Sequence, residues 1–338
     1  MTLRVGLVGC GRVAATHHGP ILARMPNARV TALIDQDGDA RRALSKTLQG
    51  AVFVSDVESA VGLDLMDALV ICTPPETHAA IALKGLEANL HVYIEKPIAL
   101  NRSEAELIAK AVEDSGQIAM VGHNFRFHPG VERLKRCLVD PATEIVAIQS
   151  QFTSERRSLP AWKKDPAKGG DAIVDLGIHH LDLFAYLAGG ALDARSIAAR
   201  SLTTGHGSAA AISGSLTTGQ PFSILVSQIS GHNTNTIKVL TKKKHYELDL
   251  FSRHPFTETW PKVRMSFAER INDRARRLAA VLDVRSNHDP SFERALSHFV
   301  SMASGGIPAS ENRLPISAGQ IALELALAAR TSADTTLQ

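Results

Sequence analysis

The segment LRVGLVGCGRVA, residues 3–14, carries the strongest indication of fold class in this chain. Residues 3–8 form a short apolar run closed by glycine, which is typical of a strand buried on both faces of a parallel sheet. The pattern G-x-G-x-x-A follows: Gly9 permits a tight turn, Gly11 lets a pyrophosphate approach the backbone, and Ala14 is small enough for helix–strand packing. The segment therefore predicts a strand–turn–helix unit that holds the phosphates of a dinucleotide.

The residues around this turn indicate which dinucleotide is bound. The backbone amides of Arg12 and Val13, at the start of the predicted helix, would face the phosphates. Asp35 lies 24 residues after Gly11, at the end of the second predicted strand. A carboxylate there accepts hydrogen bonds from the ribose hydroxyls of NAD and repels a 2′-phosphate, so NAD is favoured over NADP. Arg41 and Arg42 could lie near a phosphate on the adenosine, so NADP remains the alternative. Arginines early in a helix are, however, more often solvated.

Strands and helices alternate through residues 1–122, which predicts βαβ units and a doubly wound parallel sheet of the Rossmann type. Ser103 with Glu106 has the spacing of a capping box at a helix start. The predicted strands are Leu3 to Val8, Val30 to Ile34, Ala68 to Thr73, Val92 to Ile94 and Ile118 to Val121, and the predicted helices are Arg12 to Met25, Gly38 to Leu48, Thr77 to Ala88 and Ser103 to Ser115.

Composition restricts the class of protein. The 338 residues suffice for about two domains, and 44% hydrophobic with 21% charged residues is typical of a globular protein. The net charge of +3, divided as −3 over residues 1–122 and +6 over 123–338, is too small to indicate a nucleic-acid partner. The apolar runs are too short for a transmembrane segment, and no leader is evident. Three cysteines without metal-ligand spacing predict reduced thiols and a cytoplasmic protein.

Two segments lie where loops leave the carboxyl ends of predicted strands, the edge at which such sheets bind ligands. They are TPPETH, residues 73–78, and EKP, residues 95–97. Lys96 should emerge at the cofactor crevice, where its ammonium group could donate to a substrate hydroxyl or carbonyl oxygen. Considered alone, a lysine at a strand end is more often a solvated side chain.

The segment GGDAIVDLGIHHLD, residues 169–182, predicts a buried helix that carries polar groups. Asp175 and His179 are four residues apart and share one helix face. A histidine beside a carboxylate can transfer a proton near neutral pH. The alternative is that His179 only packs the helix against its neighbours. A metal site is another alternative, because Asp182 lies three residues after His179 on nearly the same face, and Asp175, His179 and Asp182 could be ligands. Because the sequence places no third histidine there, we predict no metal.

From residue 123 onward the pattern changes to strands joined by short turns, which predicts a second domain, 123–338, with an open antiparallel sheet. Asn124 and Arg126 should overhang the crevice, and Trp162, in a long polar loop, could stack on a sugar. Four basic residues of that loop could meet a carboxylate or phosphate, namely Arg156, Arg157, Lys163 and Lys164. The predicted strands are Glu144 to Ser154, Arg195 to Leu202, Ala209 to Leu216, Phe222 to Ile229, Thr236 to Leu240 and Tyr246 to Phe251, and the predicted helices are Pro290 to Ala303 and Ser317 to Arg330.

Residues 261–286 have the spacing of an amphipathic helix with a basic face. A helix that covers the sheet is the simplest interpretation. A subunit contact, a clamp for an anionic substrate and docking on a membrane surface are the alternatives.

The motifs GCGRVA, CTPPETH, EKP and GGDAIVDLGIHHLD, together with Asp35, resemble the Gfo/Idh/MocA family of NAD(P)-dependent sugar and polyol oxidoreductases. The resemblance implies a Rossmann domain followed by an α+β domain whose open sheet often forms the face of a homodimer or homotetramer. It also implies that the bond before Pro97 can be cis. The cofactor-binding residues that it implies, beyond the glycine turn and Asp35, are Thr73, Pro74, His78, Glu95 and Lys96.

The resemblance implies direct hydride transfer between NAD and a secondary alcohol or ketone of a sugar, cyclitol or nucleotide-sugar-like substrate. Lys96 would stabilise the substrate oxygen, His179 would exchange the hydroxyl proton, and Asp175 would orient the substrate or His179. These three would be the catalytic residues, and they would bind substrate together with Asn124, Arg126 and Trp162. A non-catalytic NAD-binding sensor and a redox-neutral sugar-modifying enzyme are the alternatives.

Overall fold

The structure is a computed structural model that describes residues 2–140, 143–155, 159–189, 192–252, 256–259 and 289–335. The chain divides into two compact units. The first consists of residues 1–124, 167–169 and 291–324, and the second of residues 125–166, 170–290 and 325–338.

A six-stranded sheet in which every pairing is parallel forms the centre of the first unit. Its order, β3-β2-β1-β4-β5-β6, is that of a dinucleotide-binding Rossmann sheet, so the predicted fold class of this half is confirmed. The two central strands, β1 and β4, are almost completely buried, which explains their continuous apolar sequences. The strands are β1 (Leu3–Val8), β2 (Ala28–Ile34), β3 (Val52–Val54), β4 (Ala68–Ile71), β5 (His91–Ile94) and β6 (Ala119–Val121).

The four helices predicted between residues 12 and 115 are present, with two local differences, and the short helix Val57–Gly62 is an additional one that the sequence does not predict. The first predicted helix contains a π-helical turn, Ala14–His18, before its α-helical part. The helix predicted to be capped at Ser103 instead has Asn101 as its N-cap, because the Asn101 side chain accepts a hydrogen bond from the Glu104 amide at 2.9 Å. The helices are α1 (Gly19–Leu22), α2 (Gly38–Ser45), α3 (Val57–Gly62), α4 (His78–Glu87) and α5 (Arg102–Ser115).

Residues 291–324 belong to the first unit, whereas the division at residue 122 assigns them to the second. Tertiary contacts explain this difference. The Val121 amide donates to the Leu314 carbonyl at 3.1 Å, and the Asn312 side chain donates to the Ala119 carbonyl at 2.8 Å. Gly319 lies in the helix Ile316–Thr335. A Cβ atom at Gly319 would lie 2.7 Å from a methyl group of Val121, so the helix packs closely against the edge strand β6 at this point.

A seven-stranded sheet with the order β13-β12-β11-β7-β10-β9-β8 forms the second unit. The predicted second domain with an open sheet is confirmed, and five of the six strand pairings are antiparallel as expected, whereas β7 and β10 run parallel. These two strands are far apart in the chain, so their relative direction is not set by a hairpin turn. The strands are β7 (Ile145–Glu155), β8 (Ala198–Thr204), β9 (Gly207–Ser215), β10 (Pro221–Ser230), β11 (Thr234–Thr241), β12 (His245–Asp249) and β13 (Phe256–Thr259).

The buried helix predicted from residue 169 onward begins with a second π-helical turn, Ile173–Gly177. The basic helix predicted over 261–286 lies outside the described residues. Among those that the structure describes, no helix combines the length and apolar character needed to cross a membrane. The remaining helices are α6 (Pro129–Val139), α7 (Ile178–Leu187), α8 (Pro290–Ala303) and α9 (Ile316–Thr335).

Candidate active site

The turn after β1 has the geometry that a dinucleotide requires. Gly9 has a φ of +85°, and a Cβ atom there would lie 2.7 Å from the Thr73 amide nitrogen, so only glycine fits. A Cβ atom at Gly11 would have nothing within 4 Å, which leaves open space over the helix start. Arg12 and Val13 are exposed there and Ala14 is fully buried. The glycine turn therefore fits a pyrophosphate at a helix N-terminus.

Asp35 lies beside this turn at the end of β2. One of its carboxylate oxygens accepts the Cys10 amide at 2.7 Å and the other accepts the Asp37 amide at 2.9 Å. Burial, with the negative charge of Asp35 as the second cause, raises the pKa of the Cys10 thiol to about 12, so this thiol stays protonated. The positive charge of Arg41 acts in the opposite direction and lowers the pKa of the Cys10 thiol, but by less. The neighbouring Arg42 forms an ion pair with Asp39.

The segment after β5 is held by a buried ionisable pair. His18 is fully buried, and its Nε2 atom lies 2.6 Å from the Glu95 carboxylate. Burial raises the pKa of Glu95, but the hydrogen bond from His18 and the nearby positive groups outweigh it, and the net shift is downward. The Lys96 amide donates to Glu95 at 3.2 Å, and the Lys96 side chain is half-buried. The Lys96–Pro97 bond is cis, as expected.

His78 joins the two loops at this edge of the sheet. Its Nδ1 atom lies 2.7 Å from the Pro97 carbonyl oxygen and its Nε2 atom 2.9 Å from that of Thr73. Burial lowers the pKa of His78 against the influence of these carbonyls. Thr73 also accepts a hydrogen bond from the Thr77 hydroxyl at 2.7 Å, and Pro74 is half-buried between them. His78 thus fixes the positions of both loops relative to each other.

In the second unit, Asp175 lies in the π-helical turn and is only 7% exposed. The Lys163 ammonium donates to both carboxylate oxygens, at 2.8 and 3.0 Å, and the Gln228 amide donates to Oδ2 at 3.0 Å. The imidazole of His179 packs against the Phe125 ring at a centroid distance of 4.8 Å. Asp175 therefore accepts hydrogen bonds from two side chains, and the His179 imidazole is flanked by an aromatic ring.

His180, next to His179 in the sequence, has a different environment. It is fully buried between the Ser150 hydroxyl, at 2.6 Å, and the Asn235 side-chain oxygen, at 2.9 Å. Burial lowers the pKa of His180 to about 4, so it is neutral at pH 7. It is therefore a packing histidine that links the helix to β7 and β11.

Two predicted substrate-binding residues make strong contacts within their own units. The Asn124 side chain is buried and donates to the Ser291 hydroxyl at 2.6 Å. The Arg126 guanidinium binds both carboxylate oxygens of Asp182, at 2.9 and 2.6 Å, and lies over the Tyr186 ring. Bidentate pairing of this kind holds a guanidinium firmly. Over the described ranges, no group of three potential metal ligands is found.

The polar loop that carries Trp162 forms a short helical turn, Ala161–Lys164, with the Trp162 ring half-buried and 5.3 Å from the Lys163 ammonium. The structure adds Gln228, which the sequence analysis does not single out. Its signal is a polar residue in the inward-facing register of β10, where Phe222, Ile224 and Val226 precede it at every second position.

The first unit, with its glycine turn, Asp35 and parallel strand order, is a dinucleotide-binding domain of the oxidoreductase class. Residues 3–123 match the model for the oxidoreductase family with an NAD-binding Rossmann fold, GFO_IDH_MocA, and residues 142–247 match the Gfo/Idh/MocA C-terminal domain. The chain belongs to the Gfo/Idh/MocA oxidoreductase family.

Curated relatives include inositol 2-dehydrogenase from Rhizobium meliloti, 32% identical over 56% of this chain and 56% of the relative. Oxidoreductase P35 from Formosa agariphila is 27% identical over 54% of this chain and 60% of its own length. The matches span 52–62% of the length of the curated relatives. Among solved structures, GenD2 from gentamicin A biosynthesis in complex with NAD shares the fold, with a TM-score of 0.82 at 19% identity, covering 99% of this chain and 95% of that one.

Proposed function

We propose that this protein is an NAD-dependent dehydrogenase or ketoreductase that acts on a CH–OH group of a sugar, cyclitol or nucleotide-sugar-like substrate. The observation that carries the proposal is the position of Lys96. It follows a buried strand, lies beside the buried His18–Glu95 pair, and occupies the sheet edge at which Rossmann domains bind their ligands. The relative named inositol 2-dehydrogenase supports a secondary alcohol of a cyclic polyol as the reacting group.

The catalytic residues that we propose are Lys96, Asp175 and His179. When bound, NAD would supply the hydride acceptor, or NADH the hydride donor, for the carbon that carries the hydroxyl group. The Lys96 ammonium donates to the substrate oxygen and stabilises the negative charge that develops on it. His179 accepts the hydroxyl proton during oxidation and returns it during reduction. Asp175 accepts a hydrogen bond from the substrate or from His179 and so fixes orientation.

We propose NAD as the preferred dinucleotide, because the Asp35 carboxylate beside the glycine turn would repel a 2′-phosphate. A small sugar-like molecule remains the proposed ligand of Trp162. The homodimer or homotetramer implied by the open sheet, and the cytoplasmic location implied by three reduced cysteines, stay predictions.

The test is turnover with a panel of polyols, sugars and nucleotide sugars, followed by the absorbance of the reduced cofactor. Lys96→Met and His179→Gln should each lower kcat by about 10²-fold or more, the range expected for loss of an acid–base or oxyanion-stabilising group. Lys84→Met, which removes an exposed lysine paired with Glu58, is the matched control and should leave kcat unchanged. Calorimetry should show that His179→Gln still binds NAD.

Normal turnover in both variants would refute the catalytic assignment. Binding of NAD without turnover of any substrate would favour a sensor. A tightly held cofactor that is reduced only transiently during a reaction with no net oxidation would favour the redox-neutral alternative.

A further inference from the structure

The carboxylate of Asp175 is oriented by two side chains from other elements. Lys163 comes from the loop before the helix, and Gln228 comes from β10. The distances from the Lys163 ammonium to the two oxygens are 2.8 and 3.0 Å, and that from the Gln228 amide to Oδ2 is 3.0 Å. Ammonium groups are donors only, so at these contacts Asp175 must act as the acceptor.

The orientation of the Gln228 amide is fixed by its other partners. Its nitrogen also contacts the Gly170 carbonyl oxygen at 3.0 Å, and its oxygen contacts the Ser208 amide nitrogen at 3.2 Å. A carbonyl can only accept and a backbone amide can only donate, so the amide cannot be rotated by 180° without losing both bonds. Gln228 is 1% exposed, which makes such a loss costly. The atom that faces Asp175 is therefore a nitrogen that donates.

The loop that carries Lys163 is closely fitted to the start of the helix. The Gly170 amide donates to the Asp165 carbonyl at 3.0 Å, which closes the loop. A Cβ atom at Gly170 would lie 2.2 Å from the Trp162 carbonyl oxygen and 2.5 Å from the Lys163 carbonyl carbon. Any other residue at 170 would displace this backbone. The position of the Lys163 ammonium is thus set by the fold, and its side chain is only 27% exposed.

An isolated buried carboxylate takes up a proton because burial penalises its charged form. At Asp175, the ammonium and the amide favour the ionised form, and neither can accept a proton from it. We propose that Lys163 and Gln228 are positioning residues that hold Asp175 as a fixed anionic acceptor, so that Asp175 orients the substrate or His179 and does not exchange the reacting proton. This inference rests on the proposed function, in which Asp175 is catalytic.

The test compares kcat and KM as functions of pH in Lys163→Met, Lys163→Arg and Gln228→Glu. Lys163→Met should lower kcat at pH 7 by about tenfold or more with a smaller change in KM, and should move the acid limb of the kcat profile to higher pH by about one unit, because the carboxylate loses its positive partner. Lys163→Arg keeps a positive charge at this position and should retain the wild-type pH profile. Gln228→Glu replaces the donating nitrogen by an oxygen and should move the acid limb in the same direction.

Two controls separate this inference from the proposed function. Lys168→Met removes another lysine of the same segment, one that pairs with Glu76, and should leave the profile unchanged. In an Asp175→Asn background, Lys163→Met should change the residual kcat less than twofold, because the partner charge is already absent.

If Asp175→Asn retains full turnover, the catalytic role of Asp175 is wrong, and the proposed function fails at that residue. If Asp175→Asn lowers kcat strongly but leaves a measurable residual rate, and Lys163→Met has the wild-type pH profile or the same effect in both backgrounds, the positioning role alone is wrong.

Discussion

At the scale of single residues, His179 and His180 show that two neighbours of one residue type can have different environments. The two are adjacent in the sequence, and a helix turns by about 100° per residue, so their rings point to different surroundings. His180 contacts a hydroxyl and an amide oxygen inside the second unit. His179 lies beside the Phe125 ring. The i, i+4 spacing from Asp175 favours His179 in the sequence, but the satisfied environment of His180 is visible only in three dimensions.

Asp35 carries the residue-scale prediction on cofactor choice. Asp35→Ser removes the carboxylate that would face a 2′-phosphate and leaves Arg41 nearby, so the ratio of NADPH to NADH affinity should rise at least about tenfold, which corresponds to about 1.4 kcal/mol. Calorimetric titration with both cofactors measures the ratio. Asp64→Ser, which removes an exposed carboxylate paired with Arg4, is the control and should leave it unchanged. Tighter binding of NADPH than NADH to the wild-type protein would contradict the role of Asp35.

At the scale of elements, the N-cap of α5 provides a stability prediction. Asn101→Ala removes the acceptor for the Glu104 amide and should lower the free energy of unfolding by about 1 kcal/mol. Asn101→Asp retains the acceptor and should be close to wild type. Urea unfolding of the three proteins measures the difference. A loss in Ser103→Ala equal to that in Asn101→Ala would instead support the cap expected from the sequence.

Elements buried on both faces are the ones that the sequence predicts well. β1, β4 and β5 form continuous apolar runs, and each predicted strand agrees with the structure within two residues. The edge strand Val52–Val54 is apolar but only three residues long, with two of them exposed, and it is not predicted. The π-helical turns at Ala14–His18 and Ile173–Gly177 escape prediction for another reason, since one extra residue in a turn barely changes a short apolar pattern.

The same distinction applies to the candidate site, where features set by local sequence are predictable and long-range contacts are not. The position of Lys96 is predictable because it lies two residues after β5, and the carboxyl ends of parallel strands lie along one edge of the sheet. Gln228 is 53 residues from Asp175 in the chain and meets it because β10 lies against the π-helical turn Ile173–Gly177. Contacts that depend on such long-range packing cannot be derived from local sequence patterns.

At the scale of the whole molecule, the return of residues 291–324 to the first unit makes that unit discontinuous in sequence. Composition and hydrophobic periodicity indicate local structure. The helical pattern of residues 290–303 does not indicate against which sheet this helix packs. The ring of Phe299 packs against Tyr93 of β5 at a centroid distance of 5.7 Å, and both side chains are fully buried. A division at residue 122 would therefore remove part of the hydrophobic core of the first unit.

Stability should depend on pH through the buried histidines. The folded-state pKa of His180 is about 4, below the unfolded value of about 6.5, so between these values the unfolded chain binds a proton that the folded protein does not. The free energy of unfolding should therefore fall as the pH drops from about 6.5 towards 4, by up to about 3 kcal/mol from this residue. Burial also lowers the pKa values of His78 and His91, which adds to the effect in the same direction. His180→Gln cannot titrate, so its unfolding free energy, measured by urea denaturation across this pH range, should vary less steeply than that of the wild type. If the two slopes coincide, His180 does not contribute to the acid sensitivity of the fold.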